Sequence, residues 1–365
     1  MKLLVDGISL ERNDLCGIRN MFRAMLPQIS RINTDLKISV YNISPCNSLV
    51  ELNPSSNLVQ HKLFAWYKYL RPGRIFYPFI NRSNYVGLVV GKGDRESIWL
   101  STYYTLPNKS FIGKRIVVVY DMIHEIYRTT WFRGSDDFIK TKLNNLVEAD
   151  SIITISDKTK QDILRFYPYL SVKPIVPIHL AHAPIFQWKN ISKTTEPFIL
   201  FVGSRGLYKN FDFFVKSYAS WAHRDSIPLK VVGSPWKDDE IKLLNRLNIY
   251  QLVENLEFVS DEALCNLYNQ ASAFVFPSLY EGFGIPICEA LACGCRVLAS
   301  DIPVFREVGS DFLTYFDPYS VDSIHNALDQ VYLPYSHQQI DTQLNFVARY
   351  TWEETAKLWN HVLTA

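Results

Sequence analysis

Short apolar runs bounded by turn residues alternate along this chain with longer stretches whose apolar positions recur at helical spacing. In the first half, Lys2–Asp6, Leu36–Tyr41, Arg115–Tyr120, Ser151–Ile155 and Ile175–Ile178 read as strands. In the second half the strand readings are Phe198–Val202, Leu229–Val232, Leu256–Val259, Ala273–Phe276 and Arg296–Ala299. Between these, Lys209–His223, Lys237–Asn248 and Asp261–Gln270 carry helical periodicity. Ser260 before Asp261 and Glu262 predicts a helix start, because acids in the first turn meet the positive end of the helix dipole. Such alternation predicts an α/β fold with parallel sheets covered on both faces. The pattern breaks near Pro184–Pro197, where the polar stretch Lys189–Glu196 precedes a new strand. Two domains follow, over 1–185 and 195–350. In the last segment Trp352, Ala356, Trp359 and Leu363 fall on one helical face. This predicts a helix over 351–365 whose apolar face packs either back on the first domain or on its own domain.

Composition adds mainly exclusions. A chain of 365 residues is long for one core, which agrees with two domains. Apolar residues at 48% and charged residues at 20% are ordinary for a globular protein, and a net charge of +2 gives no reason to expect nucleic acid. No apolar run approaches the roughly 20 residues that span a bilayer. The start offers only Leu3–Val5 before Asp6, far short of the roughly 7–15 apolar residues of a signal peptide core. The expectation is a cytoplasmic protein. Cys288, Cys293 and Cys295 cluster, but no C-x-x-C pair or fourth ligand accompanies them, so buried free thiols are expected in place of a metal site.

The chemistry concentrates in two strand-to-helix loops of the second half. The first is FPSLYEGFGIPICEALACG, residues 276–294. A strand ends at Pro277, a loop with Gly282 and Gly284 follows, and Pro286 sits in the first turn of a helix, where its missing N–H costs nothing. Amides at such a helix start can hold anionic or hydroxylated ligands, and the glycines permit close approach. Glu281 in the loop and Glu289 about one turn inside the helix can accept hydrogen bonds from sugar hydroxyls. The second loop is FILFVGSRGLYKN, residues 198–210, in which Gly203 ends a strand and Arg205 and Lys209 precede a helix. Two cations beside a helix start suit the charge of a nucleoside diphosphate, each charge-assisted contact being worth roughly 1.5–3 kcal/mol. The chain has no Asp-x-Asp, the pair that commonly holds a divalent ion on a nucleotide sugar. No metal is expected, in agreement with neutralisation by Arg and Lys.

The first half contributes VVVYDMIHE, residues 117–125, where a buried strand ends in a polar cluster with Asp121 and His124. Ligands of α/β sheets sit beyond the carboxyl ends of strands. Between Leu52 and Gly93 there is no Asp or Glu, while Lys62, Lys68, Arg71, Arg74, Arg82 and Lys92 are interleaved with aromatic residues. Such a surface can rest on an anionic leaflet, at about 1 kcal/mol per cation. A peripheral contact with the inner membrane through 60–82 is therefore a hypothesis, against a core-packing segment with solvated basic residues.

The Glu281-x7-Glu289 string, followed by VLASD at 297–301, resembles the signature of glycosyltransferase family 4, and the likeness extends over nearly the whole chain. ADSIITISDKTKQDI (149–163) looks like the late strand and helix of the family's first domain, and VENLEFVSDEAL (253–264) like its base-binding strand and loop. The resemblance implies the GT-B architecture, two Rossmann-like domains with parallel sheets facing a central cleft, and sugar transfer with retention of anomeric configuration. It implies that Glu289 binds the donor ribose, that Glu281 and the amides of Gly282, Phe283 and Gly284 hold the donor sugar, and that Arg205 and Lys209 meet the diphosphate. It also sets the loop of Asp121 and His124 opposite the donor sugar, and makes the turn containing Gly17 an approach for the donor phosphate. Relatives often have His at the position of Tyr120 and a glycine pair where Gly17 stands alone, and commonly proline at Arg296. FVGSRGLYKNFDF (201–213) is closest to bacterial mannosyltransferases of O-antigen and capsule synthesis. That points to GDP-mannose, with a UDP-sugar open, and to a saccharide or lipid-linked acceptor. Two other readings stay open. A nicotinamide oxidoreductase would want G-x-G-x-x-G, which Gly91–Lys–Gly93 approaches without a third glycine. A non-catalytic sugar-binding relative is the other.

Overall fold

The computed structural model describes residues 1–11, 16–42, 57–62, 93–190 and 196–365. The chain divides into two compact units: Met1–Leu180 with Trp352–Ala365, and Ala181–Thr351. Most of the basic, aromatic-rich stretch lies outside the described residues; of 60–82 only 60–62 are described, at the end of a strand.

The first unit is built on a wholly parallel sheet that, among the described residues, has the order β3-β2-β1-β4-β5-β6-β7. Its strands are β1 (Lys2–Asp6), β2 (Lys37–Asn42), β3 (Leu58–Lys62), β4 (Ser97–Ser101), β5 (Lys114–Val119), β6 (Ser151–Thr154) and β7 (Ile175–Pro177). Parallel strands covered on both faces read as continuous apolar runs, and KRIVVV and SIIT do. β3 and β4 are not anticipated from the sequence. β4 is buried along its whole length, yet its apolar residues are only Ile98, Trp99 and Leu100 between two serines. β3 is an edge strand whose Val59 is exposed, so burial asks little of its composition. The helices include α1 (Cys16–Ile32), α2 (Asp136–Glu148) and α3 (Asp157–Phe166).

The second unit repeats the plan in the order β10-β9-β8-β11-β12-β13, again all parallel. The strands are β8 (Ile199–Val202), β9 (Leu229–Val232), β10 (Val253–Glu257), β11 (Ala273–Phe276), β12 (Val297–Ser300) and β13 (Leu313–Phe316). β10 lies earlier than the expected Leu256–Val259. It pairs with β9 from Val253, loses register between Asn255 and Glu257, and ends where Glu257 takes a left-handed φ of 55°, leaving Phe258 exposed. An edge strand half open to solvent has no continuous apolar run to mark it. Around the sheet pack α4 (Phe211–Ser220), α5 (Asp238–Arg246), α6 (Asp261–Gln270), α7 (Ile285–Ala292), α8 (Pro303–Gly309), α9 (Val321–Leu328) and α10 (His337–Val347). Ser260 caps α6 by accepting from the Ala263 N–H at 3.2 Å. One face of the sheet forms a core with Phe211, Phe214, Tyr218 and Leu244 from α4 and α5.

The closing helix, α11 (Trp352–Thr364), is part of the first unit. Trp359 is buried edge-on to Phe22 of α1, with ring centroids 6.2 Å apart, and Asn33 donates to Asn360 at 2.9 Å. Among the described residues no helix is long and apolar enough to cross a membrane.

Candidate active site

In both sheets the chain order reverses beside the first strand, between β1 and β4 and between β8 and β11. Loops leaving adjacent parallel strands on opposite sides open a crevice at their carboxyl ends, the usual ligand position in such sheets.

In the second unit both candidate loops leave from this point. After β8 the chain turns at Gly203, with φ 131°, under Gly233; a side chain at Gly233 would come within 2.6 Å of the Gly203 carbonyl oxygen. It then makes one 3-10 turn, Leu207–Lys209, and enters α4 through Asn210 in the left-handed region at φ 57°. After β11 the chain crosses back, and the Leu279 N–H donates to the Tyr208 carbonyl at 2.7 Å, tying the loops together. Lys209 and Glu281, the residues anticipated there, meet with Nζ 2.6 Å from Oε1. Both side chains are about 15% exposed, so the pair is only partly screened. The Lys209 ammonium also lies 5.2 Å from the centre of the Phe276 ring.

Gly284 caps α7 with φ 115°, a conformation that glycine takes without strain. Pro286 is in the first turn, as anticipated. Gly282, Phe283 and Gly284 therefore lead directly into the helix start. The Phe283 ring turns inward and is buried against Tyr350, 5.8 Å between centroids. One turn into α7, Glu289 accepts a hydrogen bond from the Tyr268 hydroxyl at 3.3 Å. Burial pushes the Glu289 carboxyl up to about 8, against the opposing effect of the Tyr268 bond.

Arg205 is held differently from Lys209. Its Nε and Nη2 form a fork on Glu240 of α5 at 2.8 and 2.9 Å, Nη2 reaches the Pro235 carbonyl at 2.9 Å, and the guanidinium lies 4.5 Å from the Trp236 ring. The side chain is 1% exposed, and Nη1 has no hydrogen-bond partner. Burial alone would raise the Glu240 carboxyl; the Arg205 fork and the Lys237 amide outweigh it and hold the group below the usual range. Glu240 and Trp236 are absent from the sequence reading. Glu240 in the first turn of a helix is indistinguishable there from a solvated helix-start acid.

In the first unit, Asp6 at the end of β1 closes the switch point. Wholly buried, it accepts from the Thr102 N–H at 2.9 Å and from the hydroxyls of Thr102 and Thr105, which fastens the loop after β4. Burial raises its carboxyl in spite of these bonds. Tyr120, where relatives often have His, donates to the Thr102 carbonyl at 2.6 Å and is buried. Asp121 accepts from the Ile123 N–H at 3.1 Å. His124 is sandwiched by Phe132 and Phe138 at 4.5 and 4.4 Å, with Nδ1 unpartnered; burial first of all lowers its pKa. Beneath this turn a buried ion pair joins Lys142 of α2 to Glu125 at 2.8 Å, and Lys142 also donates to the Asp121 carbonyl at 3.2 Å. This support is missing from the sequence reading, since a lysine at helical spacing reads as solvated. Gly17 is the second residue of α1 and exposed, and a side chain there would meet nothing within 4 Å. Sterics do not demand glycine at this position.

Residues 183–340 match the family profile described as "Glycosyl transferases group 1". The chain is 30% identical over 232 residues to O-antigen chain mannosyltransferase B of Escherichia coli, covering 59% of this chain and 60% of that protein. It is 27% identical over 271 residues to the O-antigen chain mannosyltransferase RfbU of Salmonella typhimurium, covering 74% of each. Among solved structures, sucrose-phosphate synthase from Thermosynechococcus elongatus superposes with a TM-score of 0.75 at 16% identity, covering 100% of this chain and 98% of the other. A glycosyltransferase from Rickettsia africae superposes with a TM-score of 0.69 at 14% identity, covering 100% and 97%. At these identities the structural likeness shows a shared fold, the GT-B arrangement of two parallel-sheet α/β domains.

Proposed function

Residues 183–340 are a group 1 glycosyl transferase domain, and from that premise we propose that the chain is a retaining hexosyltransferase of surface polysaccharide synthesis. Its donor is GDP-mannose or a UDP-sugar, and its acceptor a glycan or lipid-linked saccharide. The sugar assignment draws on the names of the O-antigen mannosyltransferases that the chain is similar to. The observation that carries the reading is the Lys209–Glu281 pair at the carboxyl ends of β8 and β11, beside the amides that open α7 and one turn from Glu289.

In this reading Lys209 meets the leaving diphosphate, aided by the unpartnered Arg205 Nη1 and the helix-start amides. Glu281 orients the sugar and Glu289 accepts hydrogen bonds from the ribose. The anomeric carbon loses its bond to the diphosphate oxygen and gains one to the acceptor oxygen on the same face. The acceptor's proton passes to the departing diphosphate. Asp121 and His124 serve the acceptor side, and Gly17 gives the donor phosphate an approach. With the charge met by side chains and amides, no metal is required. The protein works in the cytoplasm, touching the inner membrane through 60–82.

The test is a transfer assay with GDP-mannose and a UDP-sugar panel on saccharide acceptors, with the product anomer read by NMR. Retained configuration and activity unchanged by chelator are expected. Inversion, or activity lost to chelator and restored by manganese, refutes the reading. A donor-hydrolysis assay separates it from a non-catalytic sugar-binding relative, and the matched family does not favour the oxidoreductase alternative.

A further inference from the structure

The second unit contains a cavity of about 470 Å³ away from the switch point. Arg296 immediately precedes β12, and Leu313 and Thr314 open β13, so this cavity sits at the amino ends of two strands of the sheet in which β8 and β11 carry Lys209 and Glu281 beyond their carboxyl ends. A four-residue strand, about 13 Å long, separates the two ends. We propose that the cavity is a second ligand site, taking a hexose-sized sugar that carries one anionic group, a phosphate ester or a carboxylate.

The anion is called for by Arg296. The residue is 8% exposed and lies 4.8 Å from the Tyr335 ring centre, and its Nη2 donates to the carbonyls of Leu333 and Pro334 at 3.0 and 3.3 Å. Asp311 lines the same cavity but is exposed, and among the described residues no carboxylate forms an ion pair with Arg296. A cation so far out of water without a counter-charge is costly, and an anionic ligand removes that cost. Nε and Nη1 are left to receive it, a fork that suits a phosphate or a carboxylate. The sugar ring is called for by the rest of the wall. Phe312 and Tyr335 line the wall with aromatic carbon, while Gln338 and Thr342 of α10 and the exposed carboxylate of Asp311 offer partners for hydroxyls. The volume falls within the range of roughly 300–1,000 Å³ for small-molecule sites.

Isothermal titration of the full chain with mannose 6-phosphate, glucuronate, mannose and inorganic phosphate tests this. One or both acidic sugars should bind one per chain, with mannose and phosphate each about tenfold weaker or more, the size of one charge-assisted contact. Arg296→Met should weaken the acidic sugar by about tenfold or more, and Lys209→Met should leave it unchanged. Because Arg296→Met also removes the bonds to Leu333 and Pro334, Thr342→Glu provides a second variant: an exposed helix position that puts a negative charge on the wall, with the same loss expected. The proposal fails if neither acidic sugar binds more tightly than about 1 mM. It fails equally if mannose binds as well as they do, if Thr342→Glu leaves their binding intact, or if Lys209→Met abolishes it.

Discussion

At the scale of the residue, a diphosphate reaching Lys209 must compete with Glu281 for an ammonium already held at 2.6 Å. Lys209→Ala should lower turnover by roughly 10²-fold or more, the range seen when a preorganised donor to a developing anion is removed; steady-state kcat with the donor saturating checks this. Arg205 should behave differently. Its fork on Glu240 is buried, so Arg205→Ala strands a carboxylate and should cost about 3–5 kcal/mol of stability in urea unfolding, far more than Lys209→Ala. Glu289 makes a pH prediction. With its carboxyl raised to about 8, the native state keeps a proton that the unfolded chain releases near the usual carboxylate range. Its contribution to stability therefore falls as pH rises from that range to about 8, and flattens in Glu289→Gln. If the carboxylate is the form that accepts from the ribose, donor affinity should tighten between about pH 7 and 9, about one unit to either side of the raised value, and Glu289→Gln should abolish that dependence.

At the scale of the element, α7 depends on how it begins. Gly284 holds φ 115°, and an added side-chain carbon would lie 3.2 Å from Phe305 and 3.3 Å from Ile287. Gly284→Ala should cost about 1–3 kcal/mol, read as a lower urea midpoint. The same element shows what a sequence discloses best. Phe276 to Gly294 is contiguous, and its strand end, glycine turn, proline and helix are each specified by neighbouring residues. β4 and β13 were not legible because three- or four-residue apolar runs occur wherever a helix buries a face. β10 was displaced because Leu256 and Phe258 look like strand interior, whereas the backbone turns at Glu257.

At the scale of the whole molecule, each unit carries its own parallel sheet, and α11 completes the first from the far end of the sequence. Trp359 is 1% exposed against Phe22, so Trp359→Ala should destabilise by about 3–5 kcal/mol. Ending the chain at Thr351 should uncover the same surface. Hydrogen exchange should then accelerate across Cys16–Ile32 while β8 and β11 stay protected; equal acceleration in both units would show that they unfold together.

Apolar periodicity determined the class of the fold, the alternation of strand and helix, and the two loops where cations and carboxylates concentrate, since each depends on residues close together in the chain. Only tertiary structure decided which charges meet. Lys209 and Glu281 are 72 positions apart and Arg205 and Glu240 are 35 apart, yet the first pair meets partly exposed and the second is a buried fork that leaves only the Arg205 Nη1 without a partner. Asp6, Lys142 and Arg296 likewise read as ordinary polar residues until packing removes them from water. Burial and pairing arise between segments that the fold brings together, and a one-dimensional pattern carries little record of them.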